Sequence, residues 1–424
     1  MTTSPVTPRR VSPATPAAAP SKTSPEPSKR LISLDAYRGF VMLAMASGGL
    51  GLVATAKHFP EDATWQWWAH QFDHVPWIGS CFWDMIQPSF MFMVGVACAF
   101  SYGARKARSD SYGSMVFHAA WRAVALVLLG IFLRSNGRTQ TNFTFDDVTT
   151  QIGLGYFFLF LLWGQSRNVQ ALAAGLILVG YWALFFFWPL PPADYDWEGA
   201  GINAAWQHLP GHLAHWDKNA NPAHYFDVWF MNLFPRQEPF KFCGGGYQTL
   251  IFIPSLATMI FGLMTGELLR SQAGGGQKWF WMMLWGVVAV GTGYALNEFG
   301  ICPVVKRIWT PSWAIYSAGW ALILLATFYA IVDLAGQRWL AFPFVVVGSN
   351  SIAIYCMTWL MAGWIISTLT CHFGQALLSL YQTDPSLFHD KEFLYKPIVV
   401  SVLRLVVYWG ICYWMYSRKI FLRI

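Results

Sequence analysis

With 424 residues, of which 55% are hydrophobic, 17% aromatic and only 12% charged, the chain has too little charged surface for a soluble protein of its size. A net charge of +7 would point a soluble protein toward a polyanion, but here much of the basic surplus flanks apolar runs, as membrane topology requires, and nucleic-acid binding is excluded. Seven cysteines, at 81, 98, 243, 302, 356, 371 and 412, have no Cys-x-x-Cys spacing, so no metal is expected; Cys243 and Cys302 are able to pair if both face an oxidising compartment.

Residues 1–30 are dominated by Pro, Ser, Thr and Ala with scattered Arg and Lys, a composition that cannot bury enough apolar surface to order itself, so they read as a disordered cytoplasmic tail. They lack an apolar core with a small-residue cleavage site and are not a secretory signal. The transmembrane domain, 31–424, opens at Lys29-Arg30-Leu31-Ile32-Ser33-Leu34-Asp35-Ala36-Tyr37-Arg38-Gly39, where Ser33 can cap the first helix and Asp35 lies in its first turn, favoured by the dipole. Its basic residues point to a cytoplasmic start. A wet aromatic loop (56–82) follows, then a span over 83–103 that exits at Arg105-Lys106-Ala107-Arg108. Pro88 in this span removes an N–H and predicts a bend that leaves the Asp84 carbonyl free.

Further spans fall near 113–133, 149–165, 170–190, 248–270, 279–298, 312–334, 345–368 and 396–417, since roughly 20 apolar residues cross the hydrocarbon. Short inner loops then hold Arg167, Arg270, Lys278 and Arg338, and the tail Arg418, Lys419 and Arg423, as the positive-inside rule asks with both termini cytoplasmic. A long outer loop covers 191–247. The stretch 340–371 exceeds one straight crossing and is interrupted at Gly348-Ser349-Asn350-Ser351, which predicts a broken helix near 340–351 with Ser349 capping its second part. Such a break is tolerated where it is buried in protein or lines a cavity. The fold class is all-α: a polytopic bundle of about ten transmembrane helices.

His74 is the candidate base, because an imidazole at the membrane surface can take a proton from an amine or hydroxyl near neutral pH, with Asp73 or Asp84 to orient it. It also reads as one of several interfacial histidines. Asp84 is expensive in a span unless it faces a cavity or a partner, or it caps its helix. In Lys306-Arg307-Ile308-Trp309-Thr310-Pro311-Ser312, Thr310 is placed as N-cap with Pro311 at the first helical position. This end can offer N–H groups and Lys306 to an anion, or be an ordinary capped span. His208, His212 and His215 share a spacing suited to zinc but lack a fixed partner. Gln151-Ile152-Gly153-Leu154-Gly155 is a close-packing helix face or places Gln151 on substrate, and Asp146 and Asp147 read as solvated.

Ser33-Leu34-Asp35-x-x-Arg38-Gly39, then His74-x-x-Trp77-x-Gly79, Asp84, Pro88, Phe90, Phe92 and Gly95, together resemble the heparan-alpha-glucosaminide N-acetyltransferase family and its bacterial relatives, a group of transmembrane acyltransferases. The likeness continues through Gln151-Ile152-Gly153, the Lys306-x-x-Trp309-Thr310-x-Ser312 cluster and the Asn350-Ser351 break. It implies that acetyl-CoA enters as donor from the cytoplasmic side and that its acyl group reaches an amino sugar or glycan on the far side. His74 matches the catalytic histidine, with Asp84 beside it. Asp73, Trp77, Gln151, Lys306, Trp309, Thr310 and Ser312 are then candidates for the acceptor site. Arg38, Asn350 and Ser351, near the inner face, are candidates for the CoA end.

Ala46-Ser47-Gly48-Gly49 departs from the pattern, since relatives often carry an asparagine there. No large lumenal domain precedes the first span, so the expectation is a bacterial inner-membrane protein, with a cell-envelope or scavenged amino sugar as acceptor and a homodimer as a candidate assembly. The competing readings are a sugar or amino-sugar transporter and a relative that keeps the scaffold without the chemistry.

Overall fold

Two long helices set the centre of the bundle by approaching until their backbones touch. In the computed structural model, which describes residues 31–381 and 394–422 and no side chains over 375–381, helix α4 (Ile86–Ala107) lies along α9 (Phe252–Arg270). A Cβ on Gly95 would stand 1.9 Å from the Met259 carbonyl oxygen, and one on Gly262 would stand 1.9 Å from that of Phe92. Only glycine permits that crossing, as in other close helix pairs in lipid. Gly262→Ala should cost about 1–3 kcal/mol through overpacking, read as a lowered unfolding temperature of the detergent-purified protein.

Around this pair run, in chain order, α1 (Ile32–Ala46), the short α2 (Leu52–Ala56) and α3 (Ala63–Gln71), then α5 (Tyr112–Ser135), α6 (Val148–Leu162) and α7 (Arg167–Phe186). The small α8 (Pro222–Phe230) precedes α9; α10 (Gly275–Glu298), α11 (Pro311–Phe328), α12 (Arg338–Gly348), α13 (Ser351–Leu360), α14 (Ala362–Tyr381) and α15 (Lys396–Ser417) complete the chain. α10 packs on α11, α5 on α6 and α1 on α12. The span containing α4 is 72% buried over its most apolar window, whereas α10 is 17% and α15 22% buried. The outer helices therefore turn Phe117, Leu128, Leu176, Trp285, Val406 and Trp414 outward, the surface a bilayer covers.

Among the described residues seven helices are long and apolar enough to cross a membrane, and nine if each bent pair is one span. The protein is thus an all-α integral membrane protein, and the expected count of about ten includes α6, which at 15 residues falls short of span length. The first span bends by 50° into α2 because Gly48, Gly49, Leu50 and Gly51 all have positive φ. The predicted break after α12 is present, with a 57° bend between α12 and α13. Its cap position is Asn350, not Ser349, whose hydroxyl donates to Val345 O at 2.8 Å. Ser33 likewise lies inside the first turn, its N–H donating to Asp333 Oδ2 at 3.2 Å, while Leu31 holds the cap position. The tail predicted over 1–30 lies outside the described residues.

Candidate active site

The segment after α3 folds back over the start of α4, and one carboxylate gathers it. The Asp73 side chain accepts from His74 N at 2.7 Å, and Cys81 Sγ donates to the Asp73 carbonyl at 2.7 Å. Asp84 lies in a single 3-10 turn, Trp83–Met85, ahead of α4. Pro88 therefore falls in the first turn of α4, where an N–H has no helical partner to lose, and the expected proline bend is replaced by that turn. Asp84 is 1% exposed. Its Oδ2 accepts from Cys81 N at 3.3 Å and Val75 N at 3.4 Å, and lies 3.1 Å from Cys81 Sγ, whose single thiol proton is shared between it and the Asp73 carbonyl.

The other oxygen holds the chemistry. Asp84 Oδ1 lies 2.7 Å from His74 Nδ1 and accepts from Lys306 Nζ at 3.2 Å. A carboxylate only accepts, so Nδ1 carries the imidazole proton and the Nε2 lone pair is left for a substrate. Lys306 Nζ also stands 3.1 Å from His74 Nδ1. Burial pushes the Lys306 ammonium below the ordinary lysine range, with the Asp84 charge pulling the other way. The Tyr247 ring is 6.0 Å from Lys306 Nζ and 6.5 Å from the His74 ring; burial raises its hydroxyl to about 12.

Lys306 arrives from 232 residues away on a loop that local bonds build. Ile78 and Val305 form one antiparallel bridge, and Gly79 N donates to Val304 O at 2.9 Å. Thr310 caps α11, with Pro311 next, while its hydroxyl accepts from Val305 N at 3.0 Å. Ser312 Oγ donates to Pro303 O at 2.6 Å, and Trp309, at φ +47°, donates its indole N–H to Thr258 Oγ1 at 3.2 Å. The loop over 191–247 closes the other side: Trp77 donates to Trp216 O at 3.0 Å, and Arg307 donates to Gly245 O at 2.6 Å and Val75 O at 3.2 Å. Within that loop Asp227 is buried and pushed up to about 7 by desolvation, its Oδ2 accepting from Thr249 N.

His74 and Lys306 open onto a cavity of about 470 Å³, which also meets the Ala46–Gly48 turn, Trp83, Gln87, Arg134, Asp146, Asp147, Tyr247, Trp359 and Arg404. Trp77, Trp309, Thr310 and Ser312 are buried behind its walls as supports of the loop. Asp73 is exposed and Gln151 is fully buried, its amide donating to the carbonyls of Phe145 and Thr249; neither lines the cavity. Arg38 donates to Asp35 at 2.5 Å and keeps a buried Nε without a partner. Asn350 pins the C-terminal segment, donating to Ile420 O and accepting from Leu422 N, both at 3.0 Å; Ser351 begins α13.

Four charged residues on the cavity wall were not singled out in the sequence as site groups: Arg134, Asp146, Asp147 and Arg404. Asp147, expected to be solvated, is 4% exposed because it caps α6, accepting from Thr149 N at 3.0 Å and from the hydroxyls of Thr149 and Thr150 at 2.7 Å. Asp147-Val148-Thr149-Thr150 ahead of an apolar run was the signal for that cap. Cys243 and Cys302 are both free thiols, Cys302 sitting against Ser312. His208 pairs with Asp217 at 2.6 Å and His212 reaches Gly300 O at 2.5 Å, while His215 packs on Phe186 and Trp216. Their separate partners draw them apart rather than around an ion.

The chain is distantly related to heparan-alpha-glucosaminide N-acetyltransferases. It is 22% identical to that enzyme of Homo sapiens over 370 aligned positions, covering 77% of this chain and 52% of the relative. Against that of Mus musculus it is 22% identical over 435 positions, covering 94% of this chain and 61% of the relative. The chain spans little more than half the length of these curated relatives. No family model matches the sequence.

Proposed function

We propose that the protein is a membrane-embedded acyltransferase that moves an acetyl or related acyl group from cytoplasmic acyl-CoA to an amino sugar or glycan on the opposite face. The observation that carries this reading is the His74 imidazole, oriented by a buried carboxylate at 2.7 Å and open to a cavity of about 470 Å³. In the proposed reaction Nε2 takes a proton from the acceptor amine or hydroxyl as its lone pair attacks the thioester carbonyl. The C–S bond breaks, an amide or ester forms, and the proton passes to the CoA thiolate. Asp84 stabilises the imidazolium that arises, and the Lys306 ammonium, also on the cavity wall, faces the developing oxyanion. The distant relatives named as N-acetyltransferases favour an amine acceptor.

On the donor side we assign Arg38 to CoA phosphate, supported by its buried and unpartnered Nε, with Ser351 nearby in the proposed path. The orientation we adopt, with both termini cytoplasmic in a bacterial inner membrane, follows the distribution of basic residues. Reconstituted protein should transfer radiolabel from acetyl-CoA to a glucosamine acceptor, with donor and acceptor supplied on opposite sides of the vesicle. The two bent helix pairs are also what a transporter would use. Uptake of unmodified glucosamine without acyl-CoA would replace the acyltransferase reading with that one.

A further inference from the structure

Arg404 stands in the wall of two spaces at once. One is the cavity that holds His74; the other is an open groove of about 660 Å³ between α14 and α15, lined by Ala362, Gly363, Ile366, Ser367, Thr370 and Cys371. Arg404 lies eight residues into α15, a helix of span length and apolarity, which is about 12 Å along its axis. The groove therefore opens partway along that span rather than at its end, a route that a water-soluble substrate does not require.

A guanidinium at that depth is costly unless something answers its charge. Among the described residues no carboxylate lies within ion-pair distance of Arg404; its Nη2 donates to Ser47 O at a long 3.4 Å, and its buried Nε has no partner. The chain also makes room for it. Gly48, at φ +58°, occupies the turn after α1, and a Cβ there would stand 2.7 Å from Arg404 Nη2. This is the same Ala46–Gly49 segment in which the sequence departs from the pattern it otherwise resembles. A second cation on the cavity wall, Arg134, stacks on Trp359 at 4.7 Å.

We propose that the acceptor is delivered from the bilayer as a phosphate-bearing lipid. Its phosphate pairs with Arg404, its hydrocarbon tail lies in the α14–α15 groove, and its sugar headgroup reaches His74 through the shared wall. A soluble anion would satisfy Arg404 but leave the groove empty. A neutral lipid would fill the groove and leave the guanidinium unanswered. Only an amphiphile with the anion at the junction matches both spaces. This deepens the acyltransferase reading, and rests on it for the chemistry at His74 but not for lipid binding.

The test uses the full-length protein in detergent with a diazirine-bearing farnesyl phosphate, and it is run without acyl-CoA, so that it does not depend on catalysis. Crosslinks should map to 362–371 and to α15. They should fall about tenfold or more in Arg404→Gln, the scale of one lost charge-assisted hydrogen bond, and be largely retained in Arg404→Lys. Gly363→Leu fills the groove at a position with nothing within 4 Å of its Cβ and should lower labelling with Arg404 intact, which serves if the Gln variant does not fold. Labelling that ignores both variants, that is equal for diazirine-bearing farnesol, or that is displaced by equimolar CoA or by inorganic phosphate overturns the proposal. Absence of acyl transfer alongside intact, Arg404-dependent labelling would instead remove only the acyltransferase reading.

Discussion

Replacing His74 by alanine is expected to lower acyl transfer by roughly a hundred- to ten-thousand-fold, the range over which a positioned general base contributes. The fold should survive, because Asp84 keeps the Lys306 ammonium at 3.2 Å and its two backbone N–H bonds from Val75 and Cys81. The stability loss should stay near that of one hydrogen bond, about 1 kcal/mol. The truncated side chain leaves space beside a cavity of about 470 Å³, so added imidazole should restore part of the rate in His74→Ala and none in His74→Leu, which fills that space. Turnover within tenfold of wild type in both variants would remove the imidazole from the mechanism. Radiolabelled acetyl-CoA mixed with wild type in the absence of acceptor then separates two uses of the same lone pair. Stoichiometric label on His74 marks an acetyl-imidazole intermediate, and none marks direct deprotonation of the acceptor.

What the sequence made legible follows from the range of the forces involved. Apolar runs and Thr310-Pro311 are local signals, and the helices and the α11 cap appear where those signals lie. Asp84 was legible as costly, since a carboxylate beside an apolar run needs a reason. Its partners were not, because a strand-like bridge between Ile78 and Val305 brings Lys306 across 222 residues to reach it, and no spacing rule encodes such a contact. Averaging over an apolar window also hides four consecutive positive-φ residues, 48–51, and these turn the first span and leave room for Arg404. The same reading made a span of α6, which starts at the Asp147 cap on the cavity wall and ends after 15 residues at Leu162, short of the expected 165. Thr310, Ser312 and Trp309 carry the resemblance and hold the Lys306 loop; their side chains bond to the loop backbone and to Thr258, so their part in the proposed site is to position Lys306.

Asp84→Asn should separate stability from catalysis. Asp84 and Lys306 are 1% and 4% exposed, and removing one charge of a buried pair strands the other at a cost of about 3–5 kcal/mol. The single variant should therefore unfold well below wild type. The double variant Asp84→Asn with Lys306→Met removes the stranded ammonium together with the carboxylate and should regain most of that loss, giving a coupling between the two sites of the size expected for groups in direct contact. Activity should not return with it. An amide can present its NH₂ to Nδ1 and so favour the imidazole tautomer whose Nε2 is already protonated. The same change in an acid–base triad lowers turnover by about ten-thousand-fold. Recovery of both stability and turnover in the double variant would mean that the ion pair is only a structural clamp and that His74 needs no carboxylate behind it. Recovery of stability alone leaves the lost turnover with the two polar groups themselves, Asp84 positioning the His74 proton and Lys306 facing the oxyanion as well as supplying the counter-charge that allows a carboxylate to be buried there.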